Sequence, residues 1–376
     1  FLKDSLRNSL REFTLFTIEP RTQWIFAEIY DQEGNSTLTE ITSPYDAKHL
    51  VQTLKQALDY LASQELTEAN IETLLGYSTN QLNNNLLNAT IVSAIKTAII
   101  QLEAAKNKLR VDRLLGSNLK NTSVLLYANI NRATFTTDRN PSDFANYAVR
   151  AIEHGFKTIK LAPFDEINYP ASLEDSVYGL NRIEAVRTAV GNEIEILIDC
   201  HSKFDYATAI EIADKLTKYN ISWLEESVEP DPYSLKFKQL SNTIDIPLAG
   251  GELIYGKTLF ESLCKQGYDI LMPDIKYCGG ISETVEISRI VASYGKTTSI
   301  HSPSGPVSLL SSAYTTLALS NPGILEHTVY ESPWRQDILD PPETIEDGQL
   351  LIPKGTGFSL NLNKKTLSKY GVSLQI

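Results

Sequence analysis

Cysteine is scarce in this chain: Cys200, Cys264 and Cys278 are the only three in 376 residues, and no two form a C-x-x-C pair. An odd, widely spaced set excludes a disulfide scaffold and points to a reduced, cytoplasmic protein. Asn-X-Ser/Thr triplets such as Asn88-Ala89-Thr90 then carry no meaning. Positive charge is also in deficit, with 34 Lys and Arg against 46 Asp and Glu and a net charge of −12. The acids are spread along the chain rather than gathered in a tail, which argues against a nucleic-acid partner. No apolar run approaches the ~18 residues of a membrane helix, and the amino terminus lacks a signal-peptide pattern. The chain begins with Phe1 rather than Met, so a few preceding residues are expected. What remains is ordinary for a globular protein: 42% hydrophobic and 21% charged residues. The length fits a barrel of roughly 250 residues plus a smaller unit.

The order of patterns divides the chain. Residues 13–42 alternate as strands (FTLFTIEP, TQWIFAEIYD, STLTEIT), and Gly34-Asn35 suits a hairpin turn between the last two. Residues 46–63 and 91–108 carry apolar residues at helical spacing, and the Asn-rich stretch 80–88 between them reads as a loop. Strands followed by helices mark an α+β capping domain over 1–118, completed by 346–376. Over 119–345 the pattern becomes strand then helix, repeated. Strands are expected at 124–129, 158–161, 194–200, 222–225, 247–252, 270–274, 298–301 and 324–326. Helices are expected at 143–154, 206–218, 235–241, 258–265, 282–294 and 307–320. Eight parallel strands with interleaved helices predict an α/β barrel.

In such a barrel the carboxyl ends of the strands carry the chemistry. IEILIDC, WLEES and IPLAGGE end in Asp199, Glu225 and Glu252, 26 and 27 residues apart, the length of one strand-helix-strand unit. Three carboxylates brought together would repel unless a hard divalent cation sat between them. Lys160 lies on the preceding strand and shares a face with Ala162; it either counters a substrate carboxylate or pairs with a neighbouring acid. His201, two residues past Asp199, could protonate a departing hydroxyl. Asp274 and His301 are again 27 residues apart. On neighbouring strands the carboxylate would fix the ring's tautomer, and the dyad would suit removal of a weakly acidic C–H proton. Glu326, if protonated, could hydrogen-bond a developing enolate oxygen.

Asp199, Glu225 and Glu252, followed by MPDIKYCGGISE and IHSPSGPV, resemble the enolase superfamily, and within it the mandelate racemase-like branch. The resemblance covers nearly the whole chain. It implies a modified (β/α)7β barrel under an α+β cap and Mg²⁺ held by Asp199, Glu225 and Glu252, with His301–Asp274 as the base. It also implies a small carboxylate substrate with an α-proton, often a sugar acid, and self-association into a homo-oligomer. Many relatives carry Lys-X-Lys where this chain has Lys160 and Ala162. Alanine moves no proton, so a two-base racemase is disfavoured. Asp199-Cys200-His201 is similar to the pattern of acid-sugar dehydratases of the galactonate type, in which the histidine protonates the leaving 3-hydroxyl. The family's specificity loop maps near 18–24, making Arg21 and Trp24 candidates for closing over substrate. Tyr127 and Asn129, on the first barrel strand, either contact its hydroxyls or fill the barrel. The expected activity is a hydro-lyase giving a 2-keto-3-deoxy acid. The alternatives are a one-base isomerase or lactonising enzyme of the same fold, or a sugar-acid binder that has lost turnover.

Overall fold

The computed structural model describes residues 13–18, 22–118, 120 and 122–374. The amino-terminal part opens with an antiparallel sheet, β1 (Phe13–Ile18), β2 (Thr22–Tyr30) and β3 (Ser36–Glu40). Asp31 closes the β2–β3 hairpin, its carboxylate accepting from the amides of Glu33 and Asn35, while Gly34 takes the left-handed φ of 87°. Four helices follow: α1 (Ala47–Leu61), α2 (Ile71–Leu75), α3 (Thr79–Asn83) and α4 (Leu86–Lys106). The Asn-rich stretch is therefore helical rather than a loop. Ser78 and Gln81 form a capping box on α3, and the Asn85 side chain accepts from the Asn88 amide to start α4. Asparagine is a poor helix interior residue but a good cap, and here it restarts a helix.

At 21 residues α4 is long and apolar enough to match a membrane span, which corrects the expectation that no such run exists. Most of it is buried inside the protein. Val92, Ile95 and Ala98 join the amino-terminal core, whereas Ile100 and Ala104 join the main core. A helix wedged between two cores is apolar on nearly all sides.

After α5 (Val111–Leu114), eight parallel strands alternate with helices. They are β4 (Ser123–Asn129), β5 (Thr158–Leu161), β6 (Glu195–Asp199), β7 (Ile221–Glu225), β8 (Leu248–Gly250), β9 (Ile270–Leu271), β10 (Thr297–Thr298) and β11 (Leu325–Thr328). Between them lie α6 (Asn131–Thr134), α7 (Pro141–Glu153), α8 (Val177–Val190), α9 (Tyr206–Leu216), α10 (Lys236–Ser241), α11 (Lys257–Gln266), α12 (Gly280–Ser293) and α13 (Pro306–Thr316). Ladders run in order from β4 to β10, and β11 returns beside β4, pairing Leu325 with Leu126. Between β10 and β11 the contact is a single parallel bridge, Thr298 to Pro322, with the Ser299 hydroxyl donating to the Ile324 carbonyl. Every expected strand is present, several shorter than anticipated. Helix α8 was not anticipated: its buried face includes Arg182 and Arg187, and the latter donates to carbonyls of Tyr219, Gly191, Ile194 and Asn220. A face built on spent arginines does not read as apolar periodicity.

The tail continues through β12 (Leu339–Asp340), β13 (Ile345–Glu346), β14 (Gln349–Leu351), β15 (Asn361–Leu362), α14 (Lys364–Tyr370) and β16 (Gly371–Leu374). It serves both parts of the chain. The β13–β14 hairpin pairs antiparallel with β4, while β16 pairs with β1 of the first sheet. Two contacts position the amino-terminal part over the strand ends. The Glu40 carboxylate accepts from the amides of Gly305 (2.7 Å) and Ser308 (2.8 Å), capping α13. The Tyr277 hydroxyl donates to the Thr42 carbonyl at 2.8 Å.

Candidate active site

The inward-facing side chains stack in layers. Tyr127, Leu197, Trp223, Ala249 and Met272 fill the strand bundle. Above them, at the carboxyl ends of the strands, lies a cavity of about 730 Å³ whose lining includes Asn129, Lys160, Asp199, His201, Glu252 and His301. Gln23, Thr42, Tyr45 and Asp46 reach it from the amino-terminal part.

Among the described residues, the chain's own basic side chains serve these acids. Lys160 is fully buried, with Nζ at 2.8 Å from Glu225 Oε1, 2.8 Å from Glu326 Oε1 and 3.5 Å from Asp199 Oδ2. Burial disfavours its charge, but Glu225, Glu326 and Asp199 outweigh that and hold the ammonium well above its ordinary value. Of the two readings of Lys160, pairing with neighbouring acids is the one this arrangement realises. His301 places Nδ1 at 2.9 Å from Asp274 and Nε2 at 2.9 Å from Glu252. His201 places Nδ1 against Asp165 and Nε2 at 3.0 Å from Asp199. Burial works against protonation of both rings. It is outweighed for His301 by Glu252 and Glu326, and for His201 by Asp199 and Asp165, so both values lie well above the ordinary imidazole range. As a base His301 must be neutral, so Glu252 has to release Nε2 before the ring can accept a proton.

Asp199 and Glu252 line the cavity, and Glu225 shares Lys160 with Asp199. Among the described residues no three acids, histidines or cysteines stand in position to hold a metal ion. Each carboxylate turns to the nearest cation, and burial together with Asp199, Glu326 and Glu252 still pushes the Glu225 carboxyl well above its usual value. The donor chemistry nonetheless fits a hard divalent cation: three buried or half-buried carboxylates, with no sulfur among them.

The turn after β6 aims His201. His201 and Ser202 take left-handed φ values of 44° and 56°, a conformation costing roughly 1–2 kcal/mol per non-glycine residue. It is held by the Ser202 amide donating to the Glu226 carbonyl and by the His201 amide donating to Asp199 Oδ1. His201 therefore meets Asp199 through this turn and not through the two-residue period of a strand.

Several expectations need correction. Glu326 accepts from Lys160, from Asn129 Nδ2 and from the Ser302 amide; although burial favours its neutral form, Lys160 and His301 hold it below its ordinary value. In all three contacts its oxygens stand as acceptors. Trp24 is fully buried, edge-on to Trp334 at 6.2 Å and 5.0 Å from the Arg335 guanidinium; the adjacent Gln23 faces the cavity, as strand alternation requires. Tyr127 lies in the layer below, edge-on to Trp223 at 5.7 Å, and fills the bundle. Asn129 does line the cavity, with Oδ1 accepting from the Asn131 amide. Arg21 lies outside the described residues.

Two neighbours of the histidines were not anticipated. Asp165, on the irregular stretch after β5, is fixed by Asn131 Nδ2 at 3.0 Å and by Arg139 at 3.6 Å. No periodic pattern marks it. Lys276 is buried, donates from Nζ to Asp274 Oδ2 at 2.5 Å and from its amide to Oδ1 at 2.8 Å. Its spacing from Asp274 was the available signal.

Comparison with known proteins agrees with this fold. Residues 143–366, more than half of the chain, match the family described as enolase C-terminal domain-like. The D-xylonate dehydratase of Haloferax volcanii is 28% identical over 73% of this chain and 68% of its own length. The D-gluconate dehydratase of Thermoproteus tenax is 26% identical over 77% of this chain and 58% of its own length. The D-galactarolactone cycloisomerase of Agrobacterium fabrum is 27% identical over 76% and 74%. Among solved structures, a mandelate racemase/muconate lactonizing enzyme-like protein from Rubrobacter xylanophilus superposes with a TM-score of 0.83 at 23% identity, covering 98% of each chain. A member of the enolase superfamily from Salmonella Typhimurium gives 0.82 at 20% identity, covering 98% of this chain and 99% of the other. With the strand order, the acids at successive strand ends and the family match in agreement, the chain belongs to the enolase superfamily through its enolase C-terminal domain-like region.

Proposed function

We propose that the chain is a dehydratase of a sugar acid. One observation carries the reading. Two imidazoles face one cavity, each backed at Nδ1 by a carboxylate, Asp274 for His301 and Asp165 for His201. Their Nε2 atoms meet Glu252 and Asp199, and a substrate between the rings would replace those acids there. His301, oriented by Asp274 and Lys276, takes the C2 proton of the acid. His201, held by Asp165, gives a proton to the 3-hydroxyl. The electron pair of the broken C2–H bond expels that hydroxyl as water, and the resulting enol tautomerises to the 2-keto-3-deoxy acid. Asp199, Glu225 and Glu252 would hold Mg²⁺, whose chemistry when bound is to neutralise these carboxylates and stabilise negative charge on a substrate carboxylate. Ala162, buried, offers no second base. The names of the dehydratases similar to this chain support the substrate class. Residues 1–118, through Gln23, Thr42 and Tyr45, would cover the cavity mouth.

The comparable similarity to a cycloisomerase favours one rival, a one-base isomerase or lactonising enzyme. A panel of aldonic and aldaric acids, incubated with Mg²⁺ and assayed for 2-keto products, separates the two. Product formation supports dehydration. Deuterium entry at C2 from solvent without loss of water supports the rival. No reaction with any acid, while a His301→Asn variant binds the same ligands, overturns the dehydratase reading.

A further inference from the structure

Between β11 and β12 the chain forms only a short 3-10 turn, Arg335–Ile338, in place of an α-helix. The chain from Val329 to Ile345 crosses the outer face of β11 and encloses a second cavity of about 590 Å³. Alternation along β11 sends Glu326 inward to the acids and His327 outward into this space. His327 is 94% buried and stacks on Phe156, and its Nδ1 has no hydrogen-bond partner among the described residues. Burial, with Arg335 adding to it, keeps the ring neutral, so Nδ1 can either donate or accept. Arg335, equally buried, donates from Nη1 to the Ser304 carbonyl at 2.7 Å and from Nε to Glu343 Oε1 at 3.0 Å. Its Nη2 and the Glu343 Oε2 have no partner among the described residues. At the mouth the Arg150 guanidinium lies 4.0 Å over the Tyr330 ring, and the Tyr330 hydroxyl meets His154 Nδ1 at 2.9 Å.

A buried polar atom without a partner costs about 1–3 kcal/mol. Three such atoms on the wall of one cavity, with a second guanidinium at its entrance, make a recognition surface rather than a packing defect. We propose that this cavity binds a small hydroxylated oxyanion, a carboxylate or a phosphate, with its charge on Arg335 and Arg150 and its hydroxyls on His327 and Glu343. The catalytic cavity is separate, and the assignment does not depend on the reaction proposed for it.

The chain has five histidines, so the imidazole resonances of the full-length protein can be followed individually. The protein, labelled at histidine nitrogen, is titrated through the millimolar range with inorganic phosphate and, separately, with D-gluconate. A saturable shift of His327 and His154 that does not follow the curve of His201 and His301 supports the site. The arm that responds identifies the anion. Arg150→Gln, at an exposed position, should raise the apparent Kd roughly tenfold, the loss of one charge-assisted hydrogen bond. Unmoved His327 and His154 resonances in both arms overturn the proposal. So does an unchanged Kd in Arg150→Gln.

Discussion

Replacing Lys160 by methionine keeps the length of the side chain and removes the one ammonium shared by Glu225, Glu326 and Asp199. Taking one partner from a buried ion pair costs about 3–5 kcal/mol, because the other charge is left uncompensated. Unfolding entropy of about 2.1 cal/mol/K per residue, over the 376 residues of the chain, amounts to roughly 0.8 kcal/mol/K. A loss of about 4 kcal/mol therefore lowers Tm by about 5 °C. The loss depends on pH. Without the lysine the carboxyls hold protons more tightly in the folded state than in the unfolded one, so the deficit is small in acid and grows as pH rises through their folded values. Magnesium should narrow it. An ion held by Asp199, Glu225 and Glu252, as proposed, would compete with Lys160 for Glu225 and Asp199 in the native chain and not in the variant. The Mg²⁺-induced rise in Tm should then be larger for Lys160→Met; at a hundredfold excess over Kd a single site contributes about 2.7 kcal/mol, or roughly 3 °C. Scanning calorimetry of both proteins, in chelator and in MgCl₂, measures all four values. A variant that melts within a degree of the native chain in chelator, or equal Mg²⁺ increments in the two proteins, would refute the charge arrangement described here.

His301→Asn should slow both solvent exchange at C2 and product formation by about 10²–10⁴-fold, with the circular dichroism spectrum unchanged. Asp165→Asn should separate the two steps. Exchange at C2 persists while water loss falls by roughly 10–100-fold, and equal losses in both would remove Asp165 from the acid side of the reaction. Glu68 is pushed up to about 7 by burial, reinforced by Glu283 and Glu72 and opposed by Lys96 and Ser282. Its contribution to stability is full below the ordinary glutamate range and is lost as pH climbs through about 7, by at most about 3 kcal/mol. Glu68→Gln should flatten the denaturant midpoint across that window, and an unaltered slope would count against the burial of this carboxyl.

The strand ends were legible because their spacing reflects a geometric repeat: a strand, a helix and two loops occupy nearly the same length each time. That periodicity puts Asp199, Glu225, Glu252, Asp274, His301 and Glu326 at or just past the carboxyl ends of successive strands. What escaped had no period to betray it. Asp165 lies on an irregular loop, and α8 hides its buried face behind arginines whose donors are taken by carbonyls. Trp24 was assigned to the correct strand but to the wrong face, and Tyr127 takes the barrel-filling one of its two readings. A strand of unknown phase allows either neighbour to point outward, and only the packing of Trp24 on Trp334 decides it. The state of Glu326 was equally out of reach, since it depends on three donors drawn from β4, β5 and the loop after β10.

The Glu40 carboxylate has an evolutionary corollary. The first turn of α13 follows directly on the loop bearing His301, and its amides are completed by an acid some 265 positions earlier in the chain. A chimaera that joined this strand-helix unit to a foreign amino-terminal part without an acid at the matching place would leave that turn unsaturated beside His301. Lids in such a lineage are then free to diversify along the hairpin tip near Asp31, but not at the hairpin's inner end.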